Sequence, residues 1–312
     1  MTSAPCLTVV IPSHNPQPEK LDCVLKALAS QSLCFEYWDV LIIDNCSQPP
    51  ISVKNFSHGL NIRIIGESRL GLTTARWRGT TDSLGNLVVF VDDDNLLSPN
   101  YLEETIRIFH DHPQLGVIGG KSLPIYEHSP PVWFKEGMAP LGCRDLGESI
   151  QILQASTYAD LPSYPFFAPI GAGMAMRKSA LNRWRSVALS STISDRRGSS
   201  LSSAGDCDIV LYALEQGWDI GYFPSLSLSH LISRNRVTEK YLQSISRAAY
   251  RDFIRVLDIH GIRPWPSIHP LSVSLRMLKS WFVHQAWRGD EHLLRWHSSI
   301  GQYEGRALLG DR

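Results

Sequence analysis

Residues 87–100 read LVVFVDDDNLLSPN. Residues 87–91 form a short apolar run of the length of a buried strand. The run stops at Asp92, Asp93 and Asp94, three adjacent carboxylates that repel one another, in a residue type that strands disfavour. A cation relieves that repulsion. Residues i and i+2 at a strand end, Asp92 and Asp94, can offer two carboxylates to one divalent ion. Mg²⁺ or Mn²⁺ held by one or two carboxylates, with phosphate oxygens completing the shell, suits nucleotide substrates. The plainer alternative is a loop whose aspartates face water ahead of a helix. Ser98 and Pro99 read as the N-cap and first residue of that helix.

Working outward, the same grammar repeats. Residues 7–12 (LTVVIP), 40–43 (VLII), 62–65 and 115–118 are further short apolar runs. Between them, Leu21, Val24, Leu25 and Leu28 fall at helical spacing, and residues 72–83 read as a helix. Continuous apolar strands alternating with helices predict a mostly parallel sheet covered on both faces. Ligands bind at the carboxyl ends of such strands. Those ends carry Ser13-His14-Asn15, Asp44-Asn45 and the three aspartates, so the three clusters are expected along one rim.

Further on, residues 121–170 are rich in proline and aromatics and read as long loops. Residues 170–177 (IGAGMAMR) suit a strand in which glycine permits close approach. Residues 186–204 hold eight serines and read as a flexible loop or lid that carries Arg196 and Arg197. A helix over 206–216, strands over 218–223 and 226–230, and helical periodicity from Thr238 onward complete the pattern.

The 312 residues are 43% hydrophobic, enough for a sizeable core, and their formal net charge of zero gives no sign of nucleic-acid binding. The zero hides an asymmetry. Residues 1–233 hold 17 Lys+Arg against 23 Asp+Glu, and residues 234–312 hold 13 against 7. The basic tail also carries Trp265, Trp281, Trp287 and Trp296. Peripheral contact with an anionic membrane is one reading. A helical appendage with solvated charges is the plainer one. Six scattered cysteines without zinc spacing suit a reducing setting. No apolar run approaches the ~18 residues of a membrane span. A cytoplasmic protein, peripheral at most on the cytoplasmic face of a membrane, is expected.

Each remaining candidate has a plain and a functional reading. Asp44 either closes an ordinary turn or accepts a hydrogen bond from a base N–H or a ribose hydroxyl. Arg76, on the helix before the aspartates, suits phosphate pairing, whereas Arg78 reads as a surface residue. Asp206 either gains from the positive end of its helix or acts as a general base. His230 is either structural or a partner of metal or phosphate.

Together, residues 9–15 (VVIPSHN), 40–47 (VLIIDNCS), 71–79 (GLTTARWRG), 90–95 (FVDDDN), 171–177 (GAGMAMR) and 204–222 resemble glycosyltransferase family 2, the large inverting family of GT-A fold, in its order and spacing. The resemblance implies a Rossmann-like nucleotide-binding half over 1–120 with a mixed, mostly parallel central sheet flanked by helices. It implies an acceptor-side half over 121–231. A helical C-terminal extension over 232–312 lies outside it. Pro12, Ser13, Asn15 and Asp44 would hold base and ribose, with Asp44 the partner of a uracil-type N–H. Arg76 would lie near the base or diphosphate. Asp92 and Asp94 would be the DxD pair, Asp94 the direct metal ligand, with Asp92 and Asp93 toward the nucleotide sugar. His230 would assist the metal or the diphosphate. Asp206 would be the base. Two departures stand out. The family's usual Glu-Asp reads Gly205-Asp206 here, which makes Asp208 the fallback base, and the usual ARN reads Ala75-Arg76-Trp77.

The expected reaction is a single inverting displacement, dependent on Mn²⁺ or Mg²⁺. It carries sugar from a nucleotide-diphosphate donor, UDP by family habit, to a hydroxyl of a glycan or lipid-linked acceptor. A sugar nucleotidyltransferase would need a glycine-rich basic loop after the first strand, and Ser13-His14-Asn15-Pro16 stands there instead. An inactive nucleotide-sugar-binding module would have little reason to keep Asp92, Asp94 and Asp206.

Overall fold

A computed structural model describes residues 5–53, 57–190, 196, 201 and 204–309. Its strands are β1 (Leu7–Ser13), β2 (Trp38–Asp44), β3 (Ile62–Gly66), β4 (Leu87–Phe90), β5 (Asn95–Leu97), β6 (Leu115–Tyr126), β7 (Gln151–Leu153), β8 (Ala175–Arg177) and β9 (Asp219–Ile232). They form one mixed sheet in the order β3-β2-β1-β4-β8-β6-β9-β5, with β7 paired to β9. Strands β1 to β4 run parallel, with Ser13 beside Asp44 and Val10 beside Phe90. Their carboxyl ends, and the polar clusters on them, therefore share one rim.

Helices cover both faces. α1 (Pro18–Ala29) and α3 (Tyr101–Asp111) pack on the side of Val9, Ile11, Val40 and Val89. α2 (Leu72–Asp82), α4 (Asn182–Val187) and α5 (Gly205–Glu215) cover Val10, Leu41, Val88 and Phe90. Alternate residues of β1, β2 and β4 thus face two different apolar layers, which is why these strands read as unbroken apolar runs.

Four boundaries differ from the sequence reading. The strands expected over 218–223 and 226–230 are one strand, β9. Its partner β6 also runs past residue 118 into the stretch read as loop. Pro224 falls in the bulge between the pairs Gly119–Tyr222 and Lys121–Ser227, where no ladder N–H is needed. Within 170–177 only Ala175–Arg177 is strand, because Gly173 turns the chain at φ +73°. Finally, α3 starts at Tyr101 behind Asn100, two residues after Pro99. Most of the serine-rich segment, including Arg197, lies outside the described residues.

The C-terminal part is helical: α6 (Glu239–Ile259), capped by the Thr238 hydroxyl, α7 (Val273–Val283) and α8 (Asp290–Ala307). Val256, Leu257 and Ile262 join the apolar layer of α5. α6 and α8 cross so closely that a Cβ at Gly301 would overlap the Arg247 carbonyl. Three of the four tail tryptophans are half-buried. Trp281 and Trp296 meet edge to face with centroids 4.8 Å apart, and Trp265 packs against the α5 layer. Trp287 is exposed. No helix among the described residues is long and apolar enough to cross a membrane.

Candidate active site

The rim opens into a cavity of about 430 Å³, within the usual range for small-molecule sites. Pro12 and Ser13 from the end of β1, Arg76 from α2, Asp92, Asp93 and Asp94 after β4, Asp206 at the start of α5, and His230 on β9 all line it. Residues far apart in sequence meet here because the strand ends converge. His230 arrives by sheet register: it pairs with Asn95 across β5 and β9, and Leu231 N–H donates to the Asp94 carbonyl at 2.8 Å.

The three aspartates have three environments. Asp92 Oδ1 lies 3.8 Å from Arg76 Nη2, and Arg76 itself is buried. Asp93 is hydrogen-bonded by the Ser13 hydroxyl. Withdrawal from water, and then the neighbouring Asp94 charge, push its pKa up to about 7. Asp94 Oδ2 accepts from Arg236 Nη1 at 3.1 Å, and its Oδ1 lies 3.3 Å from His230 Nε2. Burial works against its charge, but these two cations outweigh burial and hold its pKa at about 2. Burial likewise opposes charge on His230, and Asp94 overcomes it, raising His230 to about 9. The two neighbouring carboxyl groups thus titrate far apart, Asp94 held ionised by its cations and Asp93 bonded to Ser13 at the β1 end.

Asp206 has its Oδ2 on Gly171 N–H at 3.0 Å and its Oδ1 on its own neighbour's N–H, Cys207, at 2.9 Å. It sits in the first turn of α5. Gly171 also makes room for Arg76, because a Cβ there would overlap the guanidinium. The fallback base, Asp208, does not reach the cavity. It is buried, and its Oδ1 lies 2.9 Å from His260 Nε2.

Two predicted residues stand beside the cavity rather than in its lining. Asp44 accepts Ser47 N–H on Oδ1 and Ile51 N–H on Oδ2, both at 2.9 Å, so it closes the loop after β2. Asn15, at φ 50°, bonds Ser47 and Gln48 and clasps the β1 end to that loop. The neighbouring Asn45 does line the cavity. Its amide donates to the Glu67 and Arg69 carbonyls and accepts from Gly71 N–H.

The sequence singles out Arg196 on the expected lid, whereas it gives Arg144 and Arg236 no role. Arg144, Arg196 and Arg236 join Arg76 in the lining. Arg144 donates to the Ala168 carbonyl at 2.7 Å, and burial lowers its pKa. It sits in the proline-rich loops, where no periodicity marks it. Arg236 had a signal in its position six residues after His230, and the structure adds a 3.0 Å contact between the two side chains. Four guanidiniums face four aspartates, one of which, Asp93, has its pKa raised to about 7, and such a set of fixed cations suits an anionic ligand.

Residues 8–184, more than half of the chain, match the profile of Glycosyl transferase family 2. The chain belongs to glycosyltransferase family 2. Among curated relatives of this family 2 chain, an uncharacterized glycosyltransferase of Haemophilus influenzae is 26% identical over 113 residues, covering 36% of this chain and 37% of the relative. An uncharacterized protein of Sinorhizobium fredii is 24% identical over 123 residues, 38% of this chain and 13% of that protein. The chain thus matches well under two thirds of either relative's length. Among solved structures, S. aureus TarS 1–349 in complex with UDP-GlcNAc aligns with a TM-score of 0.52 at 14% identity, over 96% of this chain and 90% of that one. The mannosyltransferase PcManGT from Pyrobaculum calidifontis, in complex with GDP-Man and Mn²⁺, aligns with a TM-score of 0.54 at 13% identity, over 96% and 74%. At such identities the likeness is one of fold, and the fold is GT-A.

Proposed function

We propose that this family 2 glycosyltransferase moves a sugar from a nucleotide-diphosphate donor, UDP-linked in the first instance, to a hydroxyl of a glycan or lipid-linked acceptor, with inversion. The observation that carries the reading is the meeting, in one cavity, of Asp92–Asp94, four arginines and the carboxylate of Asp206. Asp206 takes the acceptor's hydroxyl proton as the acceptor oxygen bonds the anomeric carbon. The bond from that carbon to the diphosphate breaks, and its electron pair leaves with the diphosphate. Two backbone N–H bonds hold Asp206 in one orientation, as a general base requires. Arg76 and Arg236 stabilise charge where it develops. Asp44, fixed by its two backbone bonds, keeps a second lone pair on each oxygen to accept from a base N–H.

The donor set also fits a divalent ion of the kind that keeps few protein ligands. No group of three His, Cys, Asp or Glu among the described residues could hold a metal alone. Mg²⁺-type sites use one or two carboxylates and complete the shell with substrate phosphates. Asp94 and Asp92 would hold Mn²⁺ or Mg²⁺, which supplies neutralisation of the departing diphosphate.

Calorimetric titration with UDP, GDP and dTDP, with and without Mn²⁺, tests the reading. One diphosphate should bind, and its binding should depend on both Mn²⁺ and Asp94, being lost in Asp94→Ala. Absence of metal-linked binding for all three would remove the reading.

A further inference from the structure

Helix α7 is turned the wrong way round for a helix packed on a protein. Its one fully buried residue is Ser280, 3% exposed. On the opposite side, Leu275, Leu278 and Phe282 recur at i, i+3 and i+7, one helical stripe, and they are 71%, 58% and 60% exposed. Leu271, one turn earlier, is 83% exposed and continues the stripe. Trp287 follows it at 56% exposure, its ring 5.8 Å from that of Phe282. A contiguous apolar patch on an otherwise soluble surface marks a binding face.

The charges beside this stripe select the occupant. Between Asp258 and Asp290 the chain has no Asp or Glu; Arg263 is paired with Asp258, and Arg276, Lys279 and Arg288 fall on or just after α7. Arg276 and Lys279 project from α7 itself and are exposed. A second copy of the chain laid against this face would set cation against cation. An anionic lipid surface would take both features at once, with the stripe entering the acyl boundary and the cations meeting headgroups. An exposed tryptophan at the end of such a helix suits the same interface.

We infer that α7 is a monotopic membrane-contact helix, which lays Leu271, Leu275, Leu278, Phe282 and Trp287 into an anionic bilayer surface. The inference is independent of the transfer reaction, since none of these residues lines the catalytic cavity.

Vesicle flotation of the full chain tests it, with phosphatidylcholine vesicles compared with equimolar phosphatidylcholine and phosphatidylglycerol. The chain should float with the anionic vesicles, and added salt should weaken the association. The variant Leu275→Ser/Leu278→Ser/Phe282→Ser should lose at least about tenfold in partitioning. Its thermal midpoint should hold, because these side chains are mostly outside the protein's own core. Arg276→Gln/Lys279→Gln should reduce the preference for anionic lipid. If the chain ignores both vesicle types, or if the triple variant binds as the parent does, the inference falls. It also falls if sedimentation shows a dimer that the triple variant dissolves while vesicles are not bound. The stripe would then be a contact between copies.

Discussion

Asp208 Oδ1 lies 2.9 Å from Nε2 of His260, a residue 52 positions later at the end of α6. The other ring nitrogen of His260 meets Glu215 Oε1 at 2.6 Å, so the imidazole bridges both ends of α5. The bridge fixes the helix whose first turn presents Asp206. Asp206 and Asp208 are adjacent but one in sequence, yet only the first faces the cavity, because a step of two residues turns about 200° around a helix.

The bridge makes α5 sensitive to His260. Asp208→Ala should cost about 3–5 kcal/mol, the range for breaking one side of a buried ion pair. Chemical denaturation measures this. The pH dependence has a definite sign. Burial opposes charge on His260, but the bonds to Asp208 and Glu215 prevail and raise its pKa. A raised histidine contributes stability fully below its unfolded value of about 6.5 and loses it as pH rises through the folded value. Stability should therefore decline above neutrality, and His260→Gln should flatten that decline. An unchanged slope in the variant would assign the decline to other groups.

Asp206→Asn should lower kcat by about 10²–10⁴-fold, the usual worth of a positioned base, while the donor KM stays near its parent value. Steady-state kinetics with the identified donor, together with calorimetric donor binding, separate the two quantities. A variant that binds donor and turns over at the parent rate would remove Asp206 from the mechanism.

The strands and the shared rim were legible because the residues of β1, β2 and β4 are buried on both faces, so they advertise themselves as apolar runs. The aspartates after β4 were legible because chemistry that costs stability stands out against such runs. Asp44 and Asn15 show the limit. Their position at strand ends was readable, but which loop bonds hold each side chain there depends on backbone geometry such as the φ of 50° at Asn15. Arg144 and Arg236 show another limit. A long-range contact such as Arg236 to Asp94, 142 residues apart, leaves no periodic trace. The two strands read over 218–223 and 226–230 show a third limit, because the bulge that joins them into one strand exists only through the pairing of β6 with β9.

Gly171 is expected to act on donor binding through Arg76. A methyl group there would overlap the guanidinium, while the Gly171 N–H bond to Asp206 stays possible. Gly171→Ala should raise the donor KM about tenfold, the value of one charged hydrogen bond, with a smaller effect on kcat. In a double-mutant cycle, Arg76→Ala should add little once Gly171→Ala is present. Additive losses would mean that the glycine acts by another route.

Arg236 is the sharpest test of how Asp94 is shared. Its Nη1 holds Asp94 Oδ2 at 3.1 Å and touches His230 Nε2 at 3.0 Å, and its Nη2 is anchored on the Leu141 carbonyl at 3.2 Å. A guanidinium placed so competes with a divalent ion for the carboxylate, yet also faces the cavity where a diphosphate would lie. Arg236→Ala should therefore act in two opposite directions. The Mn²⁺ concentration for half-maximal activity should fall, since Asp94 loses a competing cation. Donor KM should rise about tenfold, since the leaving group loses a charged donor. Metal titration at saturating donor, and donor titration at saturating metal, resolve the two. A fall in metal requirement alone would limit Arg236 to holding Asp94. A rise in donor KM alone would mean that Asp94 does not bind the ion, and the metal's carboxylate would have to be sought at Asp92.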